Sequence, residues 1–261
     1  MKQIPNLFTL LNLVFGCLAI AFMLQQGVLL LPLDDAGNIL STPVQLENNP
    51  EKIFWASLFI GLAAVVDFLD GFVARLFKAT SEMGKQLDSL ADVVSFGVAP
   101  GIIAYYFLRQ SLAQESGGLD ISIIWLLPAF LLPCAAAWRL ARFNLDTEKS
   151  YSFKGLPAPA NGIFFASLPL IYWNINEQWV TDLLLNKWIL YGIILLFTWL
   201  MVSKLPLMSL KFKDYSFKNN LSKYLLLIIS IAAIVVFKWL AIPIILLVYV
   251  LLSLLFKNKP A

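Results

Sequence analysis

The sequence predicts an all-α, polytopic membrane protein with about eight transmembrane helices and both termini on the cytoplasmic side. Three observations carry that expectation. Of 261 residues, 60% are hydrophobic and 13% charged, with mean hydropathy +0.79. Soluble domains carry about 25% charged residues, so this chain has too little polar surface to wrap a soluble core. Apolar stretches recur along its whole length, and a span needs about 20 such residues to cross roughly 30 Å of hydrocarbon. Finally, the basic residues are sorted between alternate loops.

Taken in order, the expected spans are residues 4–31, 53–75, 83–108, 121–143, 158–175, 183–203, 221–237 and 239–256. The first has only Lys2 ahead of it and no small-residue cleavage site, so it is expected to remain as a span rather than be removed as a signal peptide. Residues 31–50 carry Pro, Gly, Asn and Asp and read as an outer loop. Pro128 and Pro133 should kink the fourth span, while Pro157, Pro159 and Asn161 should mark entry into the fifth. The last two spans meet at Lys238 with almost no loop, which predicts a tight hairpin, or seven or six spans in all if that pair is one re-entrant unit. Two units follow: a core over residues 1–205, and a basic loop with the helical hairpin over residues 206–261.

The charges set the orientation. Lys2, Arg75, Lys78, Lys85, Lys149, Lys154, Lys204, Lys211, Lys213, Lys218, Lys223, Lys257 and Lys259 fall in one set of loops, thirteen in all. Only Lys52, Arg109, Lys187 and Lys238 fall in the other set. By the positive-inside rule the first set and both termini face the cytoplasm, which requires an even number of spans. A prokaryotic inner membrane is the expected location. The composition also excludes some chemistry. There is no histidine, and Cys17 and Cys134 stand alone in apolar runs, so His-based catalysis and Cys/His metal sites are absent. A net charge of +3 gives no sign of nucleic-acid binding.

Residues 67–92 are the informative stretch. Asp67 and Asp70 are three apart, and Asp88 and Asp92 four apart, so each pair shares one helix face. The turn at 78–84 should fold the two helices antiparallel and bring the pairs together. One Asp at a membrane helix centre costs up to about 3 kcal/mol, and clustered carboxylates also repel. A divalent cation resolves that conflict, and an all-oxygen donor set selects a hard ion. Four carboxylates suit two ions best. Gly71 and Gly84 leave bare backbone beside the carboxylates, where a phosphate can approach closely. Arg75, one turn past Gly71, is a fixed cation for phosphate oxygens. Together these describe a diphosphate site.

The run D-x2-D-G-x2-A-R-x8-G-x3-D-x3-D, from Asp67 to Asp92, resembles without departure the signature of the CDP-alcohol phosphotransferases. Residues 4–12, 86–101, 139–144 and 155–161 further resemble the integral-membrane, serine-accepting branch of that family, and the likeness covers roughly residues 4–205. The resemblance implies transfer of the phosphatidyl group of CDP-diacylglycerol to the hydroxyl of L-serine, giving phosphatidylserine and CMP. It implies two Mg²⁺ or Mn²⁺ ions, one held by Asp67, Asp70 and Asp88, the other by Asp67, Asp88 and Asp92. Asp92 is then the general base, a role that a chain without histidine gives naturally to a carboxylate. Asp70, Gly71, Ala74, Arg75, Ser81 and Gly84 would line the CDP moiety, with Asn6 and Thr9 reaching the cytidine or its phosphates. A homodimer among membrane lipids is also implied.

Serine brings a carboxylate, and Arg139 and Arg142 are the candidate cations for it, with Ser95 and Asn144 as neutral partners. Glycerol 3-phosphate or inositol phosphate would want cations too, so the residues themselves leave the acceptor open. A cation- or proton-coupled transporter is the alternative of another class. It should show polar residues across the membrane depth or an inverted repeat, whereas the acidic cluster lies at one end.

Overall fold

The computed structural model describes residues 4–25, 50–76, 81–114, 121–145, 153–175, 177–208 and 220–256. Among the described residues the chain forms ten α-helices. They are α1 (Ile4–Leu24), α2 (Pro50–Leu76), α3 (Glu82–Val93), α4 (Ala99–Ala113), α5 (Leu131–Leu145), α6 (Ala158–Asn174), α7 (Gln178–Leu184), α8 (Lys187–Val202), α9 (Leu221–Phe237) and α10 (Ala241–Leu255). A π-helical turn, Val94–Val98, joins α3 to α4. Two short antiparallel strands, β1 (Phe153–Lys154) and β2 (Pro206–Leu207), pair Phe153 with Leu207 and Lys154 with Pro206. The expected outer loop at 31–49 and the basic residues Lys211, Lys213 and Lys218 lie outside the described residues.

Among the described residues, four helical stretches are long and apolar enough to cross a membrane: Pro5–Leu24, Lys52–Leu76, Glu82–Ala113 and Leu221–Leu255. A fifth is added if α7 and α8, bent by 58° at their junction, count as one span. This is fewer than the eight expected. Where the fourth span was expected, two 3-10 turns (Ile123–Trp125 and Leu127–Phe130) precede α5, which has only 15 residues. Pro133 therefore lies in the first turn of α5, where its missing N–H leaves no intrahelical bond unmade, and the expected kink is instead a helix start. α6 begins after Pro157 as expected and runs for 17 residues. At Lys238 the backbone takes φ 49° and leaves the α-helical path between α9 and α10, which pack against each other.

The helices that matter for the site pack through small residues. Pro5, Thr9, Asn12, Gly16, Ala19 and Met23 repeat at intervals of three and four and form the buried face of α1. On α2 the buried face is Ile53, Ala56, Ser57, Ile60, Ala63, Val66 and Asp70. Small side chains on both faces let the backbones approach closely, the usual source of helix association in lipid.

The π-helical turn is where α1, α5 and α6 converge, and its cause is legible. Pro100 has no N–H to give the carbonyl four residues back, Phe96, and its ring would crowd that oxygen. Widening the helix relieves the clash, and Asn161 Nδ2 from α6 donates to the freed Phe96 carbonyl at 2.8 Å. Glycines admit the neighbouring helices. A Cβ on Gly16 would lie 2.8 Å from Ser95 Cα, one on Gly97 2.9 Å from Ala136 Cβ, and one on Gly162 2.6 Å from Phe96 Cδ1. Beyond the turn α4 is enclosed, with Ile103, Phe107 and Leu108 in the main core. Leu226 of α9 and Tyr249 and Leu252 of α10 belong to that same core.

At the far end, Gly155 (φ +80°) packs against the last carbonyls of α8 so closely that a Cβ would sit 2.7 Å from Ser203 O. Its neighbour Leu156 donates its N–H to Leu200 O at 3.0 Å. This closure fixes the end of α8 beside the end of α5.

Candidate functional site

The acidic site forms where the end of α2 meets α3, with the start of α1 laid across both. Ser81 is the N-cap of α3, accepting the Gly84 N–H at 3.0 Å. Gly84 has no side chain to displace Asn6, whose Oδ1 lies 3.0 Å from where a Cβ would be. The two helices then bring Asp67, Asp70 and Asp88 together, with one carboxylate oxygen from each lying within 4.8 Å of the others. Asp70 is 6% exposed and accepts a hydrogen bond from Thr9 Oγ1 at 2.9 Å. Asp88 Oδ1 is buried with no hydrogen-bond partner among the described residues.

Three converging carboxylates, one with an orphaned buried oxygen, are unstable as a bare set, because desolvated like charges repel and unpaired polar atoms are costly to bury. They fit a hard divalent cation, which takes carboxylate oxygens and would satisfy the orphan. Asp92 stands outside this group of three. It is 6% exposed, within electrostatic reach of Asp67 and Asp88, and held by Asn12 Nδ2, which donates to its Oδ1 at 3.2 Å.

The other expected residues divide. Gly71 lies directly beside Asp70, and a Cβ there would meet no described atom within 4 Å. Ala74 is half-buried, and Arg75 is exposed in the last turn of α2. Of the four residues expected around serine, three already have protein partners. Ser95 Oγ donates to Asn12 O at 3.0 Å. Asn144 Nδ2 donates to Ser89 Oγ at 2.8 Å, and its carbonyl accepts from Lys85 Nζ at 3.1 Å. Arg142 donates to Val202 O at 2.8 Å and Ser203 O at 3.0 Å, so its donors cap the end of α8. Arg139 differs from these three. It is 8% exposed, its Nε is buried without a partner among the described residues, and it lies within electrostatic reach of Asp92.

Two residues at the site were not given a role by the sequence. Asn12 belongs to the stretch at 4–12 that resembles the family, and its spacing of three from Thr9 puts it on the same face of α1. An asparagine on the buried face of an apolar helix was the available signal. Tyr249 of α10 lies within electrostatic reach of Arg139, and its hydroxyl donates to Met208 O at 3.0 Å. No motif pointed to it.

Known proteins match much of the chain. The CDP-alcohol phosphatidyltransferase family profile matches residues 2–209. A Helicobacter pylori (strain ATCC 700392 / 26695) protein named CDP-diacylglycerol–serine O-phosphatidyltransferase is 32% identical over 197 residues, covering 71% of this chain and 75% of its own. A Bacillus subtilis (strain 168) protein of the same name is 33% identical over 172 residues, with 66% and 78% covered. One from Saccharomyces cerevisiae (strain ATCC 204508 / S288c) is 43% identical over 123 residues, with 44% and 41% covered. A profile spanning most of the chain, with the acidic site inside it, settles the family: this integral membrane protein belongs to the CDP-alcohol phosphatidyltransferases.

Proposed function

We propose that this protein transfers the phosphatidyl group of CDP-diacylglycerol to the hydroxyl of L-serine, releasing CMP and phosphatidylserine. The observation that carries the reading is the convergence of Asp67, Asp70 and Asp88 beside the bare backbone at Gly71, on the one stretch that matches the family signature throughout. The serine acceptor is supported by the names of the relatives.

Asp67, Asp70 and Asp88 would hold a divalent cation, Mg²⁺ or Mn²⁺, and Asp67, Asp88 and Asp92 a second. Such ions supply positive charge against the diphosphate and the departing CMP. The chain's own residues do the rest. Gly71, Ala74, Arg75, Ser81 and Gly84, with Asn6 and Thr9 from α1, receive the CDP moiety along the α2–α3 end. Arg139, whose buried Nε has no partner among the described residues, receives the serine carboxylate. Asp92 accepts the proton of the serine hydroxyl as that oxygen bonds to the β-phosphorus and the bond from phosphorus to the CMP oxygen breaks. No protein nucleophile is involved, so the reaction is a single displacement with inversion at phosphorus.

The sorting of basic residues supports a site on the cytoplasmic face of a prokaryotic inner membrane. An eight-span arrangement counts the shorter α5, α6, α9 and α10, with their flanking turns, as spans. A homodimer is part of the same reading. The test supplies serine, glycerol 3-phosphate and inositol phosphate in turn to purified protein with CDP-diacylglycerol, and identifies the lipid product by mass. Phosphatidylserine from serine alone is expected. A product from another acceptor, with none from serine, would keep the family and refute the acceptor.

A further inference from the structure

Asn12 is wholly buried in α1, a helix whose other buried-face residues after Thr9 are Gly16, Ala19 and Met23. Enclosing a carboxamide among apolar helices is costly unless it is paired, and an apolar side chain would fill the same space without that cost. Its pairing is specific. Nδ2 donates to Asp92 Oδ1 at 3.2 Å, while its backbone carbonyl accepts from Ser95 Oγ, three residues past Asp92, at 3.0 Å. The carboxylate fixes which way the amide faces, since a carbonyl turned toward it would repel. Oδ1 is left pointing away, buried and without a partner among the described residues. The backbone bond from Ser95 already fastens α1 to the π-helical turn, so the side chain is not needed for that.

We infer that Asn12 is a positioning residue for Asp92, a role that rests on the reading of Asp92 as the general base. Asp92 is within reach of Asp67, Asp70 and Asp88, all of which repel it, and of Arg139, which attracts it. A carboxylate pulled in several directions has no single rotamer of its own. One N–H on Oδ1 fixes the plane of the group and leaves the remaining lone pairs, those of Oδ2 above all, for the second cation and for the acceptor hydroxyl. The geometry of proton transfer is thus set from α1, the same helix that holds Asp70 through Thr9.

The test uses purified full-length protein, measuring kcat, the KM for CDP-diacylglycerol and for serine, and the thermal unfolding midpoint. Asn12→Leu removes the donor at similar volume. A hydrogen bond to a charged group corresponds to a loss of roughly tenfold to hundredfold in kcat, with both KM values within about twofold. Asn12→Gln keeps the donor on a longer arm and should retain several-fold more kcat than Asn12→Leu. Asn12→Asp is isosteric and sets a second carboxyl against Asp92; the pair shares a proton and the base is no longer free to take one, so it should lose at least as much as Asn12→Leu and decides the question if that variant does not fold. Wild-type kcat in a folded Asn12→Leu or in Asn12→Asp would overturn the inference, as would equal kcat in the Leu and Gln variants. An inactive wild type, or a fully active Asp92→Asn, would instead overturn the base assignment beneath it.

Discussion

Gly16→Ala tests whether the contact between α1 and the π-helical turn sets the catalytic geometry. The new Cβ would overlap Ser95 Oγ and sit 2.8 Å from Ser95 Cα, backbone that cannot rotate aside. Carbon atoms rest at about 3.5 Å or more, so α1 must withdraw by about 0.7 Å. Overpacking of this kind costs about 1–3 kcal/mol, and replacing a helical glycine with alanine returns about 1 kcal/mol. The net loss of stability should be no more than about 2 kcal/mol. Activity should suffer more. Asn12 lies one turn before Gly16 on the same face, and its 3.2 Å bond to Asp92 would be stretched toward breaking, along with the Ser95 bond. Misplacing a reacting group by 1 Å can cost about a hundredfold in rate. The assay is serine-dependent CMP release beside a thermal melt of the same preparation. We expect kcat to fall at least about tenfold while the unfolding midpoint moves by only a few degrees. A variant with wild-type kcat would refute the claim that this contact holds the base in place.

Other outcomes follow from single contacts. Gly71→Ala meets no described atom within 4 Å, so the protein should melt no lower than wild type, yet the KM for CDP-diacylglycerol should rise because the methyl stands beside Asp70. Asn161→Leu strips the Phe96 carbonyl of its partner and should cost about 1–3 kcal/mol of stability, read as a lower melting midpoint. Arg139→Ala and Arg142→Ala should separate. The first raises the serine KM with little change in the KM for CDP-diacylglycerol, whereas the second lowers stability by about 2 kcal/mol through loss of its bonds to Val202 and Ser203 and leaves the serine KM near wild type.

Much of this site was legible because its residues are close in sequence. Asp67 and Asp70 share a helix face by their spacing, and a short turn to the next helix is enough to predict that Asp88 meets them. Asn12, Asn161 and Tyr249 were not legible in that way, because each acts across a long stretch of chain and nothing local marks its partner. Arg142 shows the opposite difficulty. Three residues from Arg139, it reads as a second cation for an anionic acceptor, and only the position of α8 reveals that its donors go to the end of that helix. The fourth expected span took another form for a similar reason. Hydropathy registers the apolar run at 121–143, but Pro128 and Pro133 divide it into 3-10 turns followed by a 15-residue helix. The same rule read at Pro100 accounts for the π-helical turn, although the need for Asn161 to satisfy Phe96 emerges only once α6 is in place.

The central claim is that the α2–α3 carboxylates form a metal-dependent phosphatidyl-transfer site. Its most direct test is CMP release from CDP-diacylglycerol by purified full-length protein, with and without serine, in Mg²⁺ or Mn²⁺ and after chelation, for wild type and Asp88→Asn. The account predicts release that needs both serine and the divalent ion, and that falls to background in the variant. Release that persists after chelation, or at wild-type rate in Asp88→Asn, would contradict it.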